Sequence, residues 1–361
     1  MDVAGRAERL RGGFDAAQID ALLVTDLTNI RYLTGFTGSA ALLLVGADGL
    51  TFVTDGRYGE QSAAQLAAAG VDATIEVTGT GQQAALAAAV AAAGITRLGL
   101  EADHVTWAAA TRYDETWFPA VTVTATTGLV AARREIKDDG EIDRLAAACA
   151  IADAALAEVR PRLLDGPTER EFGLELDAAM RRLGADDVSF ETIVASGPNG
   201  ALPHHRPSGR TIADGDLVVI DFGALVDGYH SDMTRTVMVG EPTPTQARMY
   251  EVVADAQAAG VAAVVAGVEA RAVDAACREV IAAAGWEDAF LHGTGHGVGL
   301  DIHEDPRVGQ TSTATLADRC VVTVEPGVYL PEHGGVRIED TVVVTSDGAR
   351  PITHTHKNAA V

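Results

Sequence analysis

Two stretches in the second half of the chain carry acids at matching places. In the first, the apolar run Leu217–Ile220 ends in Asp221-Phe-Gly223, and after a polar turn Ser231-Asp232 opens the run Met233–Val239. In the second, Val321–Val324 ends in Glu325-Pro-Gly327, and after a Gly-rich turn Arg337-Ile-Glu339 opens the run Asp340–Val344. The acids are eleven residues apart in the first pair and fourteen in the second. One acid-x-Gly after a strand is ordinary turn chemistry; two matched copies suggest a site. A hairpin sets the end of one strand beside the start of the next. Each pair then holds two carboxylates side by side, and a pseudo-two-fold would bring the pairs face to face. Clustered carboxylates stay ionised only with something cationic between them, and the four acids, formally −4, match two divalent cations.

The histidines gather in the same half, nine of the ten at or after position 204. Three lie in His292-Gly-Thr-Gly-His296-Gly-Val-Gly-Leu-Asp-Ile-His303. Its alternating glycines would let backbone approach a ligand closely. The spacing is neither G-x-G-x-x-G nor H-E-x-x-H. Four carboxylates with an imidazole form a hard, oxygen-rich site, which suits Mn²⁺ or Co²⁺ better than a thiolate zinc site. Two such ions ~3.5–4 Å apart can share a bridging water, lower its pKa and clamp a tetrahedral intermediate. The reaction class is hydrolysis of an amide or a phosphoester, and the scarcity of Lys and Arg near these motifs disfavours phosphate.

The elements that must position these groups fall into two sets. Up to about residue 130 short strand-like runs alternate with Ala-rich helical ones: strands at 21–25, 41–45, 51–54, 71–77 and 97–101, helices at 59–69 and 82–93. That alternation argues an α/β layer. A charged stretch running to Gly140 reads as a linker. Beyond it the pattern predicts helices over 141–159, from the capping box Thr168-x-x-Glu171 to Gly184, and over 245–259 and 268–284. Strand-rich stretches at 211–239 and 319–345 lie between and after these helices. The expectation is an α/β domain over 1–130 and an α+β domain with pseudo-two-fold symmetry over 131–361.

Composition narrows the function. The 361 residues include 27 Lys+Arg against 51 Asp+Glu, a formal charge of −24, which repels nucleic acid and anionic membranes. Only Lys137 and Lys357 are lysines, a bias that salt adaptation and a GC-rich genome both produce. Cys149, Cys277 and Cys320 are odd in number and widely spaced, so buried thiols are expected rather than disulfides. The start, MDVAGRAERLRGG, lacks the apolar core of a signal peptide, and the apolar run 258–268 is too short to span a bilayer. A cytoplasmic protein is expected.

At these residues the sequence resembles the pita-bread metallopeptidases, most nearly the Xaa-Pro group of prolidase and aminopeptidase P. Thr28-Asn-Ile-Arg-Tyr-Leu-Thr-Gly-Phe-Thr-Gly-Ser39 and Thr54-Asp-Gly-Arg-Tyr58 are similar to that group's creatinase-like N-terminal domain. Ser189–Gly197 and Asn199-Gly-Ala-Leu-Pro-His204 are similar to the lead-in to its site. The resemblance implies a pita-bread catalytic domain and two divalent ions, Mn²⁺ or Co²⁺ with Zn²⁺ as a further option. It implies Asp221, Asp232, His296, Glu325 and Glu339 as ligands. Asp232 and Glu339 would bridge, Asp221 would serve one ion, and His296 with Glu325 the other. Glu325 would also carry the proton from the attacking water to the leaving amine. His204 and His303 would steady the scissile carbonyl, His292 and Arg337 would orient ligands, and Tyr329 would sit near Glu325. His205, next to His204, is expected to face away. The implied reaction is cleavage before proline in short peptides by attack of a metal-bridging water, by a homodimer. A methionine aminopeptidase-like enzyme and a non-catalytic binding protein on the same fold are the alternatives.

Overall fold

The computed structural model describes residues 2–361. The chain divides into two compact units, the first ending at Arg134 and the second running from Glu135 to Val361.

In the first unit a six-stranded sheet runs in the order Thr74–Val77, Leu50–Thr54, Ala41–Val45, Ala21–Val24, Arg97–Glu101, Thr122–Thr126. The middle strands pair antiparallel and the outer ones parallel. Ala21, Leu23, Leu44, Val53 and Leu98 pack beneath Leu86 and Val90 of the helix Gln82–Ala92. Among the helices that escape the periodicity reading is Leu27–Thr34. Its signals are at its ends: the Asp26 carboxylate accepts from Thr28 N–H, and Gly35 closes it at φ 74°.

The second unit repeats one arrangement twice, an antiparallel sheet covered by two helices. The first sheet has the order Met233–Met238, Leu217–Phe222, Ile193–Ser196. Its apolar face buries Val218, Ile220 and Val237 against Leu156 of the helix Asp139–Val159 and Phe172 and Leu176 of the helix Glu169–Arg182. The second has the order Glu304–Val308, Gly295–Gly297, Val321–Val324, Asp340–Thr345, Gly348–Pro351. It buries Val322, Val324 and Val342 against Met249 and Val253 of the helix Pro244–Ala263 and Val273, Cys277 and Ile281 of the helix Ala270–Ala283. Three of these helices start in full capping boxes, Asp138 with Glu141, Thr168 with Glu171 and Thr243 with Gln246. This is the α+β pita-bread fold with its pseudo-two-fold. The three cysteines are free and buried. Among the described residues no helix is long and apolar enough to cross a membrane.

Candidate metal centre

The register of the two hairpins sets where the acids stand. Asp221 pairs across the sheet with Thr234, which leaves Asp232 on the diagonal. Glu325 and Glu339 flank the pair Val324 and Asp340, one just beyond it on each strand. The echo between the halves is therefore one of placement, and the two pairs differ in register.

The carboxylates do converge. Ligand oxygens of Asp221, Asp232 and Glu339 lie within 4.8 Å of one another. His296 Nε2 is 3.5 Å from Asp232 Oδ2 and 3.4 Å from Glu325 Oε1. Glu325 Oε1 also accepts from Thr323 Oγ1 at 3.2 Å. Asp221, Asp232, His296, Glu325, His204, His292, His303 and Arg337 line one cavity of about 390 Å³. Glu339 and Tyr329 stand behind its wall, 1% and 4% exposed.

The histidine segment works differently from the sequence reading. A β-bulge separates Gly295 from Gly297 and sets His296 between them. A Cβ on Gly295 would lie 2.0 Å from Thr323 O, and one on Gly297 2.2 Å from Asp305 O. These glycines admit the neighbouring strands, not a ligand, because the sheet closes tightly around His296. Gly297 O can only accept, so the contact at 3.0 Å places the His296 proton on Nδ1 and the lone pair on Nε2. Burial lowers the pKa of His296 to about 4, which keeps this imidazole neutral.

A second layer holds the carboxylates. Arg337 Nη2 donates to Asp221 Oδ2 at 2.6 Å, and Arg337 Nε to Thr234 Oγ1 at 3.1 Å. Thr234 Oγ1 in turn donates to Glu339 Oε2 at 2.7 Å. Arg337 Nη1 donates to Tyr329 Oη at 2.9 Å, and Tyr329 to His292 Nε2 at 2.8 Å, the His292 proton being taken up by Gly293 O. Burial pushes Asp232 and Glu339 well above the usual carboxylate range, and the neighbouring acids push further. Glu325 is raised to about 8, chiefly by burial, with Asp221 adding to it and Arg337 opposing.

Two buried oxygens, Asp221 Oδ1 and Glu339 Oε1, have no hydrogen-bond partner among the described residues. Each belongs to a carboxylate whose other oxygen is already bonded to protein. A buried acceptor without a partner is costly, and divalent ions among these oxygens would satisfy both while relieving the repulsion. The donor set thus fits the expected metal ions.

The sequence reading missed two cations of the cavity wall, and one of them, Arg206, is paired with Glu191 at 2.6 Å. Arg307 lines the cavity and has no ion-pair partner among the described residues. No motif marks it, since it follows His303 without a characteristic spacing. His205 leaves the cavity, as expected, and its Nε2 meets the Glu169 carboxylate at 3.0 Å.

Comparison with known proteins agrees with this architecture. Residues 143–346 match the model for metallopeptidase family M24, and residues 6–136 that for the creatinase/prolidase N-terminal domain. The chain is 43% identical to the uncharacterized peptidase YqhT of Bacillus subtilis over 356 residues, 99% of both chains. Among solved structures it is similar to the Xaa-Pro dipeptidase from Bacillus anthracis, with a TM-score of 0.94 and 41% identity over 99% of each chain. The X-Pro aminopeptidase from Thermotoga maritima follows with a TM-score of 0.89 and 34% identity, over 99% of this chain and 100% of that one. The M24 family implies divalent metal ions. With its acidic cluster, its two-fold sheet-and-helix frame and its creatinase-like first unit, this chain belongs to metallopeptidase family M24, in the Xaa-Pro peptidase group.

Proposed function

We propose that the chain hydrolyses the bond between an N-terminal residue and proline in short peptides, with two divalent ions, Mn²⁺ or Co²⁺, held by Asp221, Asp232, His296, Glu325 and Glu339. The observation that carries this reading is the convergence of Asp221, Asp232 and Glu339 beside His296 and Glu325, with two acceptor oxygens left open. Bound there, the ions would supply a water of lowered pKa and a Lewis acid for the scissile carbonyl.

The chain's own groups do the rest. Glu325 lines the cavity beside His296 and Asp221, where its carboxylate can take a proton from the attacking water and return it to the leaving nitrogen. His303 and His204 line the same cavity and can donate to the carbonyl oxygen as charge builds on it. Phe190, Ile193, Ile302 and Val308 give the cavity an apolar side that suits a pyrrolidine ring. The bond before proline has no N–H, so a wall without a matching acceptor costs this substrate nothing.

Arg307 favours the dipeptidase form of the reaction. An unpaired guanidinium lining the cavity is suited to the carboxylate of a two-residue substrate. The creatinase/prolidase match of residues 6–136 argues against the methionine aminopeptidase alternative. Rates with added Mn²⁺ on Xaa-Pro peptides of two to five residues, beside Met-Ala peptides, test the reading. Fastest turnover of the dipeptide supports it, and turnover of Met-Ala peptides alone refutes it. We also propose a homodimer as the working assembly and the cytoplasm as its place.

A further inference from the structure

Glu169 is fully buried and lies outside the cavity, at the first position of the helix Glu169–Arg182. Its Oε1 accepts from Ser196 N at 2.8 Å, Ser196 Oγ at 2.8 Å and Asn199 Nδ2 at 2.9 Å. Its Oε2 accepts from Ser208 N at 3.0 Å, Ser208 Oγ at 2.6 Å and His205 Nε2 at 3.0 Å. Every one of these donors belongs to a single connection, residues 196–208. Oε1 holds the connection as it leaves the strand Ile193–Ser196, Oε2 holds it as it returns, and Asn199 Nδ2 also reaches Oε2 at 3.1 Å. Between the two attachment points lies His204, which lines the cavity.

The connection is gripped from its other side as well. Arg337 Nη1 donates to Pro203 O at 3.3 Å. A Cβ on Gly335 would fall 1.9 Å from Gly200 O, so the loop lies directly against the strand that carries Arg337. Although burial opposes its ionisation, hydrogen bonds led by those of Ser208, Ser196 and Asn199 hold the Glu169 pKa down at about 2. The clasp is therefore an anion with six donors turned toward it. A neutral amide offers one acceptor oxygen and could close only one end of the loop.

We infer that Glu169 is a positioning residue for His204: its two carboxylate oxygens clasp both ends of the 196–208 connection and fix the imidazole at the cavity wall. This rests on the reading of His204 as a substrate-contacting group. Loss of the clasp gives the loop freedom at the one place where it presents a reacting group, and a misplacement of ~1 Å can cost ~10²-fold in rate.

The test is a double-mutant cycle on the Mn²⁺-loaded enzyme with an Xaa-Pro dipeptide, using E169Q, H204A and the double variant, with calorimetric Mn²⁺ affinity measured beside the kinetics. The expected result is a kcat/KM loss of ~10²-fold in E169Q, unchanged Mn²⁺ affinity, and a double variant no slower than H204A. H205N and S208A each remove one arm of the clasp, and they carry the same cycle if E169Q does not fold. Losses that multiply in the double variant overturn the clasp while leaving the role of His204 intact. A wild-type rate in H204A overturns the reading of His204, and the inference with it.

Discussion

Thr234 and Glu339, 105 residues apart in sequence, bond to each other in both directions. Thr234 Oγ1 donates to Glu339 Oε2 at 2.7 Å, and Glu339 N–H donates to Thr234 O at 3.1 Å. Each residue sits on the inner hairpin of a different half, so this reciprocal pair joins the halves at the carboxylate cluster. Thr236 and Arg337 repeat the stitch, Arg337 N–H donating to Thr236 Oγ1 and Thr236 Oγ1 to Arg337 O. Such bonds tie the two halves of the pseudo-two-fold together at the site.

Removing the oriented donor should therefore loosen the metal and leave the fold. Thr234→Val keeps the shape and the backbone bond but frees Glu339 Oε2. Groups that orient metal ligands typically contribute ~10–100-fold in affinity. Calorimetric titration with Mn²⁺ should show a weakening in that range, and an unchanged affinity would show that the Thr234 hydroxyl does not hold the ligand.

Glu325→Gln should abolish nearly all turnover in a folded protein. In the proposed roles it would lose a charged ligand and a proton carrier together, and a general acid/base alone accounts for ~10²–10⁴-fold. His303→Ala should lower turnover and keep the metals, because His303 lines the cavity outside the carboxylate cluster. Steady-state rates set beside metal content distinguish the two variants.

The Glu169 clasp gives a pH signature. Its folded pKa, about 2, lies below the ordinary value of 4.5, so the stability it contributes is present above the unfolded value and is lost as pH falls toward the folded one. The melting-temperature gap between wild type and Glu169→Gln should stay constant from neutral pH down to ~5 and shrink below ~4.5. A gap that is flat across that range would mean the carboxylate is not held as an anion.

Charge predicts how the proposed dimer would respond to salt. Two subunits at −24 each repel. The Debye length is ~30 Å at 0.01 M salt and ~3 Å at 1 M. Sedimentation should show a dimer that tightens with NaCl, with a melting temperature that rises alongside. A dimer equally tight at both salt levels would trace the acidity to genome composition rather than to salt adaptation.

Most of the frame could be read from local signals. The runs ending at Asp221 and Glu325 are buried strands, and the Thr168 capping box opens its helix as the sequence implies. What escaped was long-range. Nothing near Thr234 announces Glu339, and nothing near Glu169 announces a loop that begins 27 residues later at Ser196. Strand register escaped too, since acid-x-Gly precedes both turns while only the structure separates a diagonal pair from an opposed one. Arg307 was invisible because a lone arginine gains meaning only from the cavity it borders.

The central claim, cleavage before proline, is tested most directly by one comparison on Mn²⁺-reconstituted enzyme: kcat/KM for Ala-Pro against Ala-Ala. The account predicts a preference of at least ~10-fold for Ala-Pro, as expected where a shaped apolar wall recognises a ring, and loss of both activities on chelation. Equal rates on the two dipeptides, or a faster rate on Ala-Ala, would contradict it.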